Sequence, residues 1–177
     1  MTQLTGSDWP YCDSSAPAAV AGEKDACGVG FLAQLQGERS HWVLQQALRG
    51  LGCMEHRGGC GGAGDSGDGA GVLCEIPWEY LRAIWPEAAN ANGLGMMFLP
   101  KDPGRRADVQ RFCDQEAQAL GLTSVGWREV PIDSAVLGPL ARETAPVIQQ
   151  WLVQRDVDAD ALESLLLRLR RHVGARV

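Results

Sequence analysis

The chain has 177 residues, 45% of them hydrophobic, and a formal net charge of −6. This length suits a single domain with its own core, and the acidic balance disfavours nucleic acid or anionic membranes as main partners. No apolar run approaches the roughly 18 residues of a membrane span. Residues 1–26 lack the basic start and apolar stretch of a secretory signal, so we expect a cytoplasmic protein.

The N-terminal part of the chain alternates short apolar segments with glycines. Bulky side chains between glycines predict a strand over 27–36, and Ser40 is a suitable N-cap for a helix over 41–54. The segment 58–71 holds eight glycines and is predicted to be a loop. A run of apolar residues then predicts a strand over 72–76.

The rest of the chain predicts a mixed α and β domain. Its helices are defined by apolar residues that recur on one face, and Gly121 is a suitable helix stop. Strands are predicted over 95–99, 123–130 and 147–153, and helices over 78–85, 108–120 and 158–172.

Cysteine spacing argues against a metal site. The six cysteines form no C-x-x-C pair, and no cysteine–histidine cluster has zinc-finger spacing. In a reducing compartment, we expect all but one of them to be small buried side chains. The exception is Cys27, and the other five are Cys12, Cys53, Cys60, Cys74 and Cys113.

Cys27 is a candidate nucleophile because of its surroundings. A thiol of ordinary pKa is only a few per cent ionised at neutral pH, so it needs a base. If the chain were cut after Ala26, the new α-amino group of Cys27 would provide that base. The alternative is that Cys27 simply begins a buried strand.

His56 and Arg57 lie in the glycine-rich region and provide two further candidates. A guanidinium binds a carboxylate through two parallel hydrogen bonds, and neighbouring glycines let a substrate approach it closely. An arginine before two glycines is also typical of a solvated turn. A His56–Cys27 pair that acts with the leader attached is a second possibility for the chemistry, since His41 and His172 lie at predicted helix ends.

The ordered motifs of the chain resemble the beginning of the glutamate synthase large chain, and their sequences are most similar to those of the ferredoxin-dependent form. The resemblance covers about 150 residues from Cys27 onward. Its motifs stand at 27–31, 40–41, 54–60, 65–71, 76–78, 98–102, 126–131 and 148–150.

The resemblance implies a class II glutamine amidotransferase domain. Its fold would be α+β, a four-layer αββα sandwich of the N-terminal-nucleophile hydrolase type, incomplete in this chain. Residues 1–26 would be a propeptide removed after Ala26, and 27–177 the N-terminal part of the domain. Cys27 would attack the side-chain amide of glutamine, and Arg57 would hold the α-carboxylate of glutamine.

For the full-length enzyme, the resemblance implies that the released ammonia aminates 2-oxoglutarate reductively. FMN, an iron–sulphur cluster and ferredoxin would serve that reaction in other domains of the same polypeptide. No cofactor or metal is expected in this chain.

The chain also departs from the pattern of the family. The family carries an acidic residue in the loop where this chain has 62–64, and an Asn-Gly oxyanion hole further downstream. Residues 131–177 contain no asparagine, so we expect little or no glutaminase activity from these 177 residues alone. Two alternatives stay open: another class II amidotransferase, and a non-catalytic remnant of the fold.

Overall fold

A computed structural model describes residues 28–54 and 69–176. The chain divides into an N-terminal unit, Met1–Cys74, and a C-terminal unit, Glu75–Val177. None of the helices in the described part of the chain is long and apolar enough to cross a membrane.

The N-terminal unit contains helix α1, His41–Cys53, which confirms the predicted helix. It begins at Ser40, whose hydroxyl accepts a hydrogen bond of 3.2 Å from the backbone N–H of Trp42. This bond satisfies one of the donors that the first turn leaves unpaired.

The strands predicted over 27–36 and 72–76 were wrong where the structure describes those residues. Neither segment has strand conformation, and the side chains of Val29, Phe31 and Leu73 are 94% or more exposed. A short apolar segment forms a stable strand only when a neighbouring strand completes its hydrogen bonds, and no described strand pairs with these segments.

The described residues of the C-terminal unit form a three-stranded antiparallel sheet. Its strands are β1, Gly93–Leu99, β2, Thr123–Glu129, and β3, Val147–Gln154. The order is β1-β3-β2, so β3 pairs with both other strands. All three predicted strands are confirmed, with ends within two residues of the expected ones.

Four α-helices precede, connect or follow these strands. They are α2, Trp78–Ile84, α3, Pro103–Ala119, α4, Pro139–Thr144, and α5, Ala159–Gly174, with 3-10 helices at Pro86–Asn90 and Ser134–Val136. Helix α3 begins five residues before the predicted start, because Asp102 accepts a hydrogen bond from the N–H of Arg105 and Pro103 occupies the first helical position. Helix α4 was not predicted.

Gly121 ends helix α3, as predicted. Its φ of 73° lies in the left-handed region. The guanidinium of Arg155 donates to the carbonyl of Leu120 and fills the space in which a β-carbon on Gly121 would lie. The glycine therefore lets the end of β3 approach the end of α3.

The sheet buries apolar side chains on both faces. One face packs against α3 and α5, and the opposite face against α2 and the 3-10 helix after it. The first core contains Cys113, Ala117, Leu122, Trp151, Val153, Leu162, Leu169 and Val173. The second core contains Leu81, Trp85, Ala88, Ala91 and Leu152.

A hydrogen-bonded network joins α3 to the sheet within the first core. Asp114 Oδ1 accepts from Ser124 Oγ at 2.6 Å and from Trp127 Nε1 at 3.1 Å. The Ser124 hydroxyl in turn accepts from Trp151 Nε1 at 2.8 Å. The two indole rings stack with centroids 5.1 Å apart. The carboxylate and the hydroxyl that it holds thus accept from the indole N–H groups of both tryptophans, so neither N–H is left unpaired in the core.

We predict that Asp114→Ala lowers the free energy of unfolding by about 1–3 kcal/mol, because Ser124 and Trp127 lose their shared acceptor. Urea denaturation followed by tryptophan fluorescence measures the change. The control is Asp108→Ala on the same helix, where the carboxylate is 66% exposed and pairs with Arg111. That change should cost less than about 0.5 kcal/mol. Equal losses in the two variants would contradict a role for the network.

Candidate active site

The predicted site residues lie outside the part of the chain that the structure describes. Ala26 and Cys27 precede the first described residue, and His56 and Arg57 fall in the segment 55–68. Their roles therefore stay predictions.

Two described segments adjoin the predicted site residues. Gly28, directly after Cys27, is exposed and has no regular structure. Helix α1 ends at Cys53, and its C-cap Met54 donates its N–H to the carbonyl of Leu51 at 3.0 Å. The capped end of α1 is thus followed directly by the segment that carries Arg57.

The three described cysteines differ in environment. Cys53 is exposed and disulfide-bonded, and Cys74 is an exposed free thiol. Cys113 is a fully buried free thiol in the first core. The expectation of a small buried side chain is confirmed for Cys113 and wrong for the other two.

Burial makes Cys113 a poor nucleophile. Loss of contact with water raises the pKa of its thiol from 9.0 to about 11, and the negative charge of Asp114 acts in the same direction. At neutral pH this side chain is therefore a protonated, apolar part of the core.

The described residues offer no metal site. Within 28–54 and 69–176, no group of three or more histidine, cysteine, aspartate or glutamate side chains could hold a metal ion. An iron–sulphur cluster requires several cysteine thiolates, but Cys53 is disulfide-bonded and Cys113 is buried in the core. The cluster implied for the full-length enzyme does not fit this part of the chain.

Two of the sequence motifs meet across the sheet. The motif 126–131 begins in β2 and the motif 148–150 lies in β3, and Arg128 is paired with Gln150. The guanidinium of Arg128 donates to Gln150 Oε1 through Nε at 3.2 Å and Nη2 at 2.8 Å. It also lies 5.8 Å from the ring centroid of Trp85, a cation–π contact.

The neighbouring Gln149 faces the other side of the sheet. It is buried, and its Oε1 accepts from Gln110 Nε2 of α3 at 2.6 Å. The two adjacent glutamines thus make their contacts on opposite faces of the sheet, Gln149 with Gln110 of α3 and Gln150 with Arg128 of β2. Sequence reasoning missed these pairs, for which the signal was polar residues inside otherwise apolar strands.

The motif 98–102 builds the junction between β1 and α3. The Lys101 ammonium donates to the carbonyls of Arg142 and Glu143 at the end of α4, at 2.6 and 2.8 Å. The Arg106 guanidinium donates to the carbonyls of Pro100 and Lys101. Both charged side chains thus donate hydrogen bonds to backbone carbonyls. The motif therefore has a structural role in this part of the chain.

Two clefts in the described part of the chain lack the residue types expected of the site, a cysteine or a histidine. A cleft of about 330 Å³ is lined by residues of the β2–β3 connection together with Lys101 and Glu129. A wider one, of about 610 Å³, is lined mainly by asparagines and alanines at residues 89–92 and by Thr123 and Gln154. Neither has a cysteine or histidine among its lining residues, so neither replaces the predicted site at Cys27.

Comparison with known families decides the class of this domain. The sequence profile of the class II glutamine amidotransferases matches residues 27–177. The chain belongs to this family. The α+β fold class of an N-terminal-nucleophile hydrolase, expected from the motifs, is confirmed for this amidotransferase domain. The described part contributes one antiparallel sheet and helices.

The amidotransferase domain is similar to several ferredoxin-dependent glutamate synthases. It is 43% identical over 164 residues to ferredoxin-dependent glutamate synthase 2 of Synechocystis, which covers 88% of this chain. It is 41% identical over 166 residues, 89% of the chain, to the chloroplastic/mitochondrial enzyme 1 of Arabidopsis thaliana. The spinach chloroplastic enzyme is 39% identical over 86% of the chain. The matched regions span 10% of each of these relatives.

We predict that a thiol reagent labels Cys74 and spares Cys113 in the folded domain. At pH 8 a thiol of pKa about 11 is ionised to about one part in a thousand. It is also fully buried, whereas Cys74 is exposed. Peptide mapping by mass spectrometry after iodoacetamide treatment separates the two sites. Labelling of both at similar rates without denaturant would contradict the burial of Cys113.

Proposed function

We propose that this domain carries out the glutaminase step of a glutamate synthase, with Cys27 as the nucleophile. The thiolate attacks the side-chain carbonyl carbon of glutamine and ammonia leaves, which forms a glutamyl thioester. Water then attacks the thioester, releases glutamate and restores the thiol. The observation that supports the proposal most strongly is the family match, which begins at residue 27.

The α-amino group of Cys27 is the proposed proton carrier of this reaction. An α-amino group has a pKa near 7.7–8.0, so a useful fraction is neutral at pH 7 and can accept the thiol proton. The same proton is then available to the departing ammonia. This role requires that residues 1–26 are removed as a propeptide by cleavage after Ala26, and it makes 27–177 the amidotransferase part of the chain.

Arg57 is the proposed substrate anchor. Its guanidinium would bind the α-carboxylate of glutamine through two charge-assisted hydrogen bonds, which fix the substrate in one orientation.

In a longer polypeptide, we propose that the ammonia aminates 2-oxoglutarate in a reductive step, with ferredoxin as electron donor. The names of the relatives, all ferredoxin-dependent glutamate synthases, support this assignment. FMN and an iron–sulphur cluster would belong to other domains of that polypeptide. A cytoplasmic location stays a prediction, since the relatives include a cyanobacterial enzyme and chloroplastic ones.

We predict that an electrophilic analogue of glutamine labels Cys27, and that Arg57→Ala slows the labelling about 10–100-fold at limiting analogue, because two charge-assisted hydrogen bonds are lost. L-glutamine should protect the thiol. Mass spectrometry of the labelled peptide measures the rate, and it does not require turnover. The control is Arg105→Ala, an exposed arginine on α3, which should leave the rate unchanged. Equal labelling rates in the Arg57→Ala and Arg105→Ala variants would contradict a role for Arg57 in substrate binding.

We further predict that the reactivity of Cys27 depends on removal of the leader. A chain that begins at Cys27 should react with the analogue, whereas one that retains residues 1–26 should not, because its Cys27 lacks the free α-amino group. Intact mass identifies which form is present in each sample. Equal labelling with the leader attached would contradict the proposal and favour a base such as His56. No labelling of either form would favour the non-catalytic remnant.

A further inference from the structure

Cys53, the last residue of helix α1, forms a disulfide. The other two described cysteines, Cys74 and Cys113, are free thiols. The partner of Cys53 is therefore one of the three cysteines outside the described residues, which are Cys12, Cys27 and Cys60. The proposed glutaminase reaction does not itself use this bond.

Sequence separation favours Cys60 as the partner. The separation from Cys53 is seven residues for Cys60, 26 for Cys27 and 41 for Cys12. The entropy that a chain loses on closing a loop grows with the logarithm of the loop length. In an unfolded chain, closure with Cys60 is therefore favoured roughly sevenfold over Cys27 and roughly 14-fold over Cys12.

The chemistry of the proposed reaction favours the same partner. A Cys27 sulphur held in a disulfide cannot act as a nucleophile, because the attacking species is a thiolate. Cys12 belongs to residues 1–26, which are absent from a chain that begins at Cys27. Only Cys60 allows a disulfide at Cys53 and a reactive Cys27 in the same processed chain.

A disulfide between Cys53 and Cys60 would enclose Arg57. The ring contains eight residues, and Arg57 comes four residues after Cys53 and three before Cys60. A disulfide holds its two α-carbons about 4.4–6.8 Å apart, whereas seven extended residues span up to about 25 Å. The bond therefore converts the segment that carries Arg57 into a short closed loop.

Helix α1 provides a fixed base for this loop. Its start is capped by the hydroxyl of Ser40, which accepts from the backbone N–H of Trp42. At its other end the N–H of Met54 donates to the carbonyl of Leu51 at 3.0 Å. Cys53 thus belongs to an ordered helix end, and a bond to it ties the loop to the helix.

The glycines beside Arg57 explain why such a constraint would matter. Gly58 and Gly59 have more backbone conformations available to them than other residues. An unconstrained segment would lose much of this freedom when Arg57 binds a substrate, and the loss weakens binding. A disulfide removes part of the freedom in advance, so less is lost on binding.

From these observations we propose that Cys53 pairs with Cys60, and that the disulfide positions Arg57 to bind the α-carboxylate of glutamine. Glutamine binding is then redox-sensitive, because the oxidised chain holds Arg57 in place and the reduced chain does not. The effect on binding rests on the proposed role of Arg57, whereas the pairing of the two cysteines is tested without it.

A dithiol reductant opens the ring. One thiolate of the reductant attacks a sulphur of the disulfide and forms a mixed disulfide, and the second thiolate then displaces the protein sulphur. The reductant becomes a disulfide and the protein gains two thiols, so two electrons and two protons pass to the protein. Cys53 is exposed at the end of α1, which gives the reductant access.

Peptide mapping of the unreduced chain, after its free thiols have been blocked, tests the pairing. Trypsin cleaves after Arg57, so Cys53 lies on the peptide 50–57 and Cys60 on the peptide 58–82. We expect these two peptides to be joined through Cys53 and Cys60, and to separate when dithiothreitol is added.

Other results of the mapping would overturn the proposal. The peptide 1–24 carries Cys12, and the peptide 25–39 carries Cys27. A Cys53 peptide joined to either of them would show a different partner, and an unbonded Cys53 would show that there is no ring.

Labelling of Cys27 by the electrophilic glutamine analogue measures the effect on binding. The chain begins at Cys27, and it is reduced with dithiothreitol, which is then removed under anaerobic conditions. Reduction should slow labelling about 3–10-fold at limiting analogue and leave the rate at saturating analogue unchanged. The two conditions differ because the disulfide affects the binding of the analogue, whereas the attack by Cys27 does not depend on it.

Two substitutions examine whether the bond acts through Arg57. Cys60→Ser should behave like the reduced chain at both analogue concentrations. Arg57→Ala should label at the same rate whether oxidised or reduced, because the side chain that the ring positions is gone. The matched control is Cys74→Ser, which removes an exposed free thiol and should keep the full redox difference.

Equal labelling of the oxidised and reduced chains at limiting analogue would overturn the positioning role, and this comparison needs no substitution. A redox difference that persists in Arg57→Ala would overturn it as well. If Cys27 were not labelled in either form at saturating analogue, the proposed function would fail, and the role of the disulfide in glutamine binding would fail with it. The peptide map would still decide the pairing.

Discussion

Strand β3 is the element on which the C-terminal unit depends, because it alone among the described strands pairs with both of the others. Trp151 and Val153 face the core under α3 and α5, and Leu152 faces the core under α2. Three consecutive residues are thus buried on alternating faces. The two layers of helices are held together only as long as this strand keeps its register, because a shift by one residue would exchange the faces of every side chain.

The polar contacts of the sheet reinforce the same register. Gln149 bonds to α3, Gln150 binds Arg128 of the neighbouring strand, and the indole of Trp151 reaches Asp114 through Ser124. Each contact requires one residue of β3 to face one particular side. In a partly buried setting, a wrong register would leave several donors and acceptors unpaired, which costs more than the loss of an exposed contact.

The motifs of this amidotransferase domain therefore belong to two physical classes. Those at 98–102, 126–131 and 148–150 contain residues that pack, cap helices or cross-link strands in the C-terminal unit. Cys27 and Arg57 belong to the other class, whose residue types suit nucleophilic attack and carboxylate binding. The motifs with structural roles make the resemblance to the family specific. We do not propose that any of their described side chains touches the substrate.

Local sequence signals were accurate where the physics is local. Helix α1 followed from Ser40 and an apolar stripe, and α5 from a similar stripe behind Asp158, whose side chain accepts from the N–H of Ala161. The true start of α3 was missed because Gly104 and the two arginines after it are not apolar. The Asp102-Pro103 pair was the signal that could have located it.

Predictions failed where the outcome depends on distant residues. The apolar residues over 27–36 and 72–76 are typical of strands, but they could not say whether a partner strand is in place. The same limit applies to the candidate site. The sequence identifies a thiol and a guanidinium of suitable chemistry, but it does not give the distance between groups thirty residues apart.

The sequence by itself determined the family, the candidate nucleophile Cys27 and the order of helices and strands in the C-terminal unit. These depend on residue identity and on periodicities a few residues long. Only the tertiary structure decided that Arg128 binds Gln150 and that Asp114 anchors the tryptophan pair. These outcomes depend on register between segments far apart in the chain, which is set by the collective burial of both faces of the sheet.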